Sequence, residues 1–526
     1  MANAQGPQGA ALPGEPQVTP RRLIAFFALI FGMFMAILDI QIVSSSLSEI
    51  QAGLSASADE VSWVQTAYLI AEVVMIPLSG FLARALSTRY LFAASAAGFT
   101  LASLLCATAT SIEQMIVYRA FQGFIGGGMI PTAFAAAYTI FPKRHQGPVM
   151  ALVGLVVTLA PTVGPTVGGY LTELFSWHWL FLVNIVPGIA ATLLCWFLVD
   201  FDTPDFSLLR KFDVAGLAGM AVMLGSIEYV LEEGAKDDWF QSATISFLTF
   251  AAVLGGILFF WRAFRAEQPV VDLNAYRDRN FAVGSMLTFM LGTVLYGLTY
   301  LYPLFLAQVR GFNSLEIGET VFVTGATMFL AAPVVGVLAR RVDPRLVVGT
   351  GFLFLIISCL ELLPITKDWG FWELLAPQVL RGAALMLCMV PINVVSLGTL
   401  PPSQLKNASG LFNLMRNLGG AVGLAVIVTT LNGRWDLHME RLREQVTWAR
   451  PSVVDTLNSL TAGFAAQLGP AGELAATKEL ALMVRQQALV MAFADVFLLV
   501  TVFLSFAAFL VLLVRKPAGA AAAPSH

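Results

Sequence analysis

Fourteen stretches of this chain are apolar for about as long as a helix must be to cross a hydrocarbon layer, roughly 20 residues, and that repetition excludes most other folds. They lie near 24–45, 62–83, 90–109, 113–138, 149–171, 179–199, 214–231, 243–264, 281–307, 317–339, 346–364, 372–399, 408–431 and 489–514. Of the 526 residues, 57% are hydrophobic and only 12% charged, where a soluble chain carries about a quarter. The chain therefore reads as an all-α membrane protein. A net charge of −3 without a basic block leaves no electrostatic footprint for nucleic acid. Cys106, Cys195, Cys359 and Cys388 fall inside apolar runs and read as small buried hydrophobes.

Lys and Arg gather in alternate loops. Arg21, Arg22, Arg84, Arg89, Lys143, Arg144, Arg210 and Lys211 fall on one side, whereas the short loops opposite hold only Lys236, Arg310 and Lys367. Positive loops stay cytoplasmic, so both termini are expected inside. Residues 1–20, rich in Pro, Gly and Gln, read as a disordered cytoplasmic tail, and 516–526 as a second tail. The segment 432–488 then lies outside. Val453, Leu457, Leu460, Phe464 and Leu468 share one helical face there, which suits helices lying on the outer membrane surface or a docking surface for a partner.

The chain also repeats itself. PLSGFLARALSTR at 77–89 and PVVGVLARRVDPR at 333–345 match Pro77 with Pro333, Gly80 with Gly336, Arg84 with Arg340 and Arg89 with Arg345. Arg119-x-x-Gln122-Gly123 is echoed by Gln378-x-x-Arg381-Gly382 with Arg and Gln exchanged. Two similar halves in one orientation mark transporters that rock one half against the other. The expected layout is a six-helix bundle over 21–200, two inserted helices over 201–270, and a second six-helix bundle over 271–515.

Several segments together resemble the fourteen-helix drug:proton antiporter branch of the major facilitator superfamily (EmrB/QacA-like) across residues 20–515. These are Leu38-Asp39 in the first span, Trp63–Leu69 opening the second, and Gly80-Phe81-Leu82-Ala83-Arg84 in the following loop. Arg119-x-x-Gln122-Gly123 stands in the fourth span, Gly164-Pro165-x-x-Gly168-Gly169 in the fifth, and Asn413-Leu414-Met415-Arg416-Asn417-Leu418-Gly419-Gly420 in the thirteenth. The loop motif departs from the family pattern, which has an acid where Arg84 stands and a glycine where Ser87 stands. A charge-relay role for the loop is therefore unsupported. The resemblance implies a pseudo-two-fold bundle and proton-coupled export of lipophilic or amphiphilic compounds from the bacterial inner membrane. It also implies, as partners, a periplasmic adaptor and a TolC-type outer-membrane channel. Export of one defined amphiphile, such as a fatty acid, bile salt or siderophore, is the alternative.

Ionisable groups inside a bilayer are costly and usually functional. Asp39 and Arg119 stand at similar depths from the outer ends of their spans, so an ion pair can form. Burial and the guanidinium pull its protonation in opposite directions. Either this is a proton-linked pair or a static salt bridge, and the resemblance assigns Arg119 to proton transfer. Glu72, in mid-span without an obvious partner, is a proton or cation site or a hydrogen-bonded structural acid. Asp495 is a further proton-coupling candidate, while Glu228 and Glu361 read as interfacial. Gln122, Arg381, Asn413, Arg416 and Asn417 are candidates for substrate or relay contact, the last three carrying polar groups at i, i+3, i+4 spacing. Gly164-Pro165 should bend span five, and Gly168-Gly169 permit close packing during gating. The loop-motif set is Gly80, Arg84, Arg89, Gly336, Arg340 and Arg345. No nucleotide loop occurs, and His145, His178, His438 and His526 fall outside the spans. The expectation is a transporter rather than an enzyme, with no cofactor beyond the proton gradient. The antiport reading requires that water reach the acids rather than find them sealed.

Overall fold

The computed structural model describes residues 19–44 and 46–515, so the two tails lie outside the described residues apart from Thr19 and Pro20. It is helical throughout. The first part comprises α1 (Pro20–Ser44), α2 (Leu47–Leu54), α3 (Ala58–Ala107), α4 (Ile112–Gly126), α5 (Met129–Ile140), α6 (Lys143–Leu174), α7 (Trp179–Leu182) and α8 (Ile185–Leu198). Then follow α9 (Val214–Glu233) and α10 (Ala243–Arg265). The rest comprises α11 (Arg279–Phe305), α12 (Ser314–Arg341), α13 (Pro344–Glu361), α14 (Phe371–Leu397), α15 (Leu405–Gln445), α16 (Pro451–Leu468) and α17 (Gly472–Leu510).

Side-chain caps start many of these helices by satisfying backbone N–H groups that lack an intrahelical acceptor. Ser57 with Glu60 and Asn313 with Glu316 form capping boxes at α3 and α12. Asp213, Asp278 and Asp343 cap α9, α11 and α13. Inside α3 the backbone leaves helical geometry at Ser87 (φ 75°, ψ 159°). α6 bends by 42° between His145–Pro161 and Val163–Leu174. The break lies one turn upstream of Pro165, whose ring clashes with the carbonyl four residues back.

Twelve helical segments among the described residues are long and apolar enough to cross a membrane, or thirteen with the bent α6 counted as one. Phe27, Phe121, Phe247, Phe264, Trp372 and Phe509 are among the large side chains left on the outside. An exposed apolar surface of that extent meets lipid, and the chain is a multi-pass membrane protein.

Two departures from the sequence reading concern the segment 432–488. α15 does not end with its apolar stretch but runs to Gln445, and α17 begins at Gly472. At 1.5 Å per residue each is about 60 Å long, twice the hydrocarbon thickness of ~30 Å. They therefore project from the bundle rather than lie flat. α16 packs on α17, with Val453, Leu457, Leu460 and Phe464 half-buried and Leu468 exposed.

The related segments around Gly80 and Gly336 make corresponding contacts. Gly80 of α3 packs against Asn407 of α15 (2.9 Å from an added Cβ to Cα), and Gly336 of α12 against Pro148 of α6 (3.2 Å). α3 thus meets α15 on one seam, and α12 meets α6 on the other.

Candidate functional site

Asp39 and Arg119 are fully buried and 2.6 Å apart. Arg119 Nη1 donates to Asp39 Oδ2 and to Gln122 Oε1 (2.7 Å), and its Nε donates to the Val64 carbonyl (3.1 Å). The guanidinium lies 4.3 Å from the Tyr68 ring centroid. Gln122 Nε2 donates to Ser103 Oγ (2.7 Å) and Asp39 Oδ1 (3.3 Å). Asn184 Nδ2 donates to the same Oδ1 at 2.6 Å. α1, α3, α4 and the start of α8 are thereby pinned by one charged cluster. With no exposed surface, Asp39 is sealed in this conformation. Proton exchange there requires these helices to part and the arginine to be surrendered.

Neither Asn184 nor Ser103 was singled out from the sequence. The usable signal for Asn184 is a lone amide in the apolar stretch Phe181–Ile185.

Glu72 of α3 differs. It is 2% exposed, and its Oε1 has no hydrogen-bond partner. A buried carboxyl oxygen without a donor is costly, and protonation at Oε1 would break no hydrogen bond there. Like Asp39, however, Glu72 is closed off from water in this conformation and exchanges a proton only when the helices around it part. Glu228, five residues before the end of α9, is also buried, at 6%. Glu361 is half-buried with Oε2 unpaired.

Arg381 and Arg416 of the second half are buried and form no ion pair among the described residues. Arg381 Nη2 donates to Thr299 Oγ1 (2.7 Å), while Nε and Nη1 are unpartnered. Gln378 Nε2 donates to the Thr320 carbonyl (2.9 Å). Arg416 Nη1 donates to Asn413 Oδ1 (3.1 Å), and its guanidinium lies 5.0 Å from the Phe134 ring, which belongs to the other half. Tyr296 OH donates to Asn417 Oδ1 at 3.5 Å. Asp495 stands apart from these groups. Its Oδ2 meets Arg434 Nε (2.6 Å) and His438 Nε2 (2.7 Å) between α15 and α17, and its side chain is 25% exposed.

The loop motif is completed from elsewhere. Thr88 donates from both N and Oγ1 to Asp202 Oδ2 (2.7 Å each). Lys406 Nζ reaches that oxygen (2.5 Å) and the Ala83 carbonyl (2.8 Å). Asp202, in the linker after α8, thereby joins the segment after Arg84 to Lys406 of α15 and ties the two halves together. Arg84, Arg89 and Arg345 are half-buried; Arg89 lies 5.3 Å from the Trp196 ring. The Arg340 side chain lies outside the described residues. Gly164 lets α6 approach Gln41 of α1, where an added Cβ would stand 2.4 Å from Gln41 Cβ. Gly168 is buried and Pro165 and Gly169 half-buried. No group of His, Cys, Asp and Glu among the described residues could hold a metal ion.

Comparison with known proteins agrees with this geometry. The Major Facilitator Superfamily model matches residues 29–424. The chain is 41% identical over 495 residues to the colistin resistance protein EmrB of Acinetobacter baumannii, covering 93% of this chain and 96% of that one. It is 31% identical to the fatty acid resistance protein FarB of Neisseria gonorrhoeae (81% and 84% covered). It is 28% identical to the multidrug export protein EmrB of Escherichia coli K12 (83% and 86% covered). Among solved structures, the human organic anion transporter MFSD10 has the same fold, with a TM-score of 0.56 at 16% identity over 92% of this chain and 100% of that one.

Proposed function

Because the chain belongs to the major facilitator superfamily of membrane transporters, and relatives along most of its length are named for multidrug export and fatty acid resistance, we propose that it exports small hydrophobic or amphiphilic compounds from the bacterial inner membrane in exchange for protons. Fourteen passes in a six-two-six order, with both termini cytoplasmic, complete this reading. Glu60–Ala107 spans 48 residues, about 72 Å at 1.5 Å per residue, and so crosses twice by turning at Ser87. The bent α6 crosses once. The matched contacts of Gly80 and Gly336 suit two pseudo-symmetric halves.

The observation that carries proton coupling is the free Oε1 of Glu72, a buried carboxyl beside the seam where the halves meet. Glu72 loads and unloads the proton. The Asp39–Arg119 cluster transmits the resulting motion through α1, α4 and α8. Arg381, Asn413, Arg416, Asn417 and Gln122 line or support the path. Gly164, Pro165, Gly168 and Gly169 let α6 flex against α1. Asp495, paired at the base of the projection, holds α15 to α17. The projecting α15–α17 segment is where a periplasmic adaptor leading to a TolC-type channel would dock. The name of the gonococcal relative favours, as a second reading, one defined amphiphile such as a fatty acid.

The test is substrate-induced proton release from purified protein in weakly buffered detergent, across cationic, neutral and anionic lipophiles. Binding of at least one class should release protons from the wild type, and Glu72→Gln should bind without release. Binding by the wild type with no proton exchange for any compound would refute the exchange mechanism.

A further inference from the structure

The polar core around Arg119 has a counterpart in the second half. Arg119 Nε donates to the Val64 carbonyl of α3 (3.1 Å), and Gln378 Nε2 donates to the Thr320 carbonyl of α12 (2.9 Å). Gly123 brings α4 against the Tyr68 carbonyl of α3, and Gly382 brings α14 against the Thr324 carbonyl of α12, so closely that neither position has room for a Cβ. Val64 and Thr320, like Tyr68 and Thr324, stand the same interval apart along the chain as Gly80 and Gly336. Each guanidinium lies over a tyrosine ring, Arg119 at 4.3 Å from the Tyr68 centroid and Arg381 at 5.2 Å from that of Tyr302.

The two cores differ in one group. Arg119 and Gln122 close on the Asp39 carboxylate of α1. With arginine and glutamine exchanged, Arg381 closes instead on Thr299 of α11, the first helix of its half, where Nη2 donates to Oγ1 at 2.7 Å. A hydroxyl thus stands where the first half has an acid. Arg381 is 2% exposed, its Nε and Nη1 have no partner, and it forms no ion pair among the described residues. Glu361 of α13, with Oε2 itself unpartnered, is not its counterion. A ring face offsets only part of the cost of burying a guanidinium, and each free N–H adds to it. Nε and Nη1 lie on different edges of the planar group. Each edge pairs a free donor with Nη2, the fork that a carboxylate fits. Thr299 is half-buried, and α14, which carries Arg381, packs on α6 of the first half as well as on α11.

We propose that Arg381 and Thr299 form an anion site in the second half, and that its ligand is the carboxylate of an amphiphilic substrate. That carboxylate takes the place beside Arg381 that Asp39 holds beside Arg119, so one core is neutralised by the chain and the other by its cargo. Because Arg381 is buried in this conformation, α11 and α14 must part to admit the ligand. The guanidinium favours ionised acids and repels cationic lipophiles. This deepens the export reading above by naming a substrate class, and it rests on that reading for transport but not for binding.

The test is calorimetric titration of dodecanoate into the purified full chain, at fixed detergent concentration and at an alkaline pH that keeps the carboxylate ionised, with dodecanol as the uncharged comparison. The proteins are the wild type, Thr299→Asp, Arg381→Gln and Arg381→Lys. Thr299→Asp gives the guanidinium an acid of the chain. It should raise the thermal midpoint and weaken dodecanoate binding about tenfold or more. Arg381→Gln should weaken binding to a similar extent, and Arg381→Lys, which keeps the charge and loses the fork, should weaken it less. A folded Thr299→Asp protein that binds dodecanoate like the wild type would overturn the site while leaving proton-driven export of other lipophiles standing. So would an equal loss of dodecanol binding, which would mean that the carboxylate is not what is recognised. Stabilisation of the wild type by chloride, lost in Thr299→Asp while dodecanoate binding is unaffected, would make the occupant a small inorganic anion and overturn the substrate class. Dodecanoate binding that depends on Thr299 and Arg381, in a protein that exports without exchanging protons, would uphold the site and overturn the exchange reading.

Discussion

Asp39 and Arg119 illustrate why a buried ion pair is better judged by what its loss leaves behind. Removing one partner strands a charge, at a cost of about 3–5 kcal/mol. Asp39→Asn should therefore lower the thermal midpoint in detergent sharply. Adding Arg119→Gln should recover part of the loss, and strictly additive effects in this double-mutant cycle would show that the pair is not coupled. The pairing of these two residues was legible from their matching depths. Gln122 was legible too, through its spacing from Arg119, but Asn184 and Ser103 were not, because they come from helices whose facing the sequence does not reveal. Asp202 was hidden for the same reason. The acid that serves the loop after Arg84 is more than a hundred positions away along the chain and becomes its neighbour only when the bundle closes.

At Ser87 one residue decides where α3 turns. Its φ of 75° with ψ of 159° lies in a region almost confined to glycine, at a cost of order 1–3 kcal/mol. Ser87→Gly should raise the melting temperature, with stabilisation of about 1 kcal/mol; an unchanged or lower melting temperature would mean that the Ser87 side chain itself is needed. Helix existence was readable from hydropathy nearly everywhere. Helix ends were not: the apolar stretch of α15 stops near 431, while residues 432–445, charged and free of proline, keep the helix going. Hydropathy reports where a helix meets lipid, and says nothing of where its hydrogen bonds stop.

The two halves are fastened at one end by Lys406 to Asp202 and Ala83, by Tyr138 OH donating to the Asn393 carbonyl (2.7 Å), and by Ser409 Oγ donating to the Pro131 carbonyl (2.9 Å). Repeats and loop charges in the sequence pointed to two halves and an insertion. They could not say which flank the insertion occupies, since an apolar helix fits against any apolar neighbour. Just beyond α9, Trp239 Nε1 donates to Thr429 Oγ1 of α15 (3.1 Å), and the indole that spans the gap leaves the backbones too far apart for a disulfide. A cysteine pair made by Trp239→Cys and Thr429→Cys should instead lock α9 to α15 when bridged by a reducible bifunctional thiol reagent. Export should stop while substrate binding persists, and reduction should restore it. Undiminished export by the cross-linked protein would show that α9 and α15 move as one body. The four native thiols are buried, so they should not compete.

One of the two flanks is shuttered. α9, backed by α10, closes over the line where α3 meets α15, whereas among the described residues α6 and α12 pack on each other along a line that neither inserted helix covers to a comparable extent. The insertion therefore makes the bundle lopsided: lipid meets one seam only through α9 and α10, and meets the other through α6 and α12 themselves.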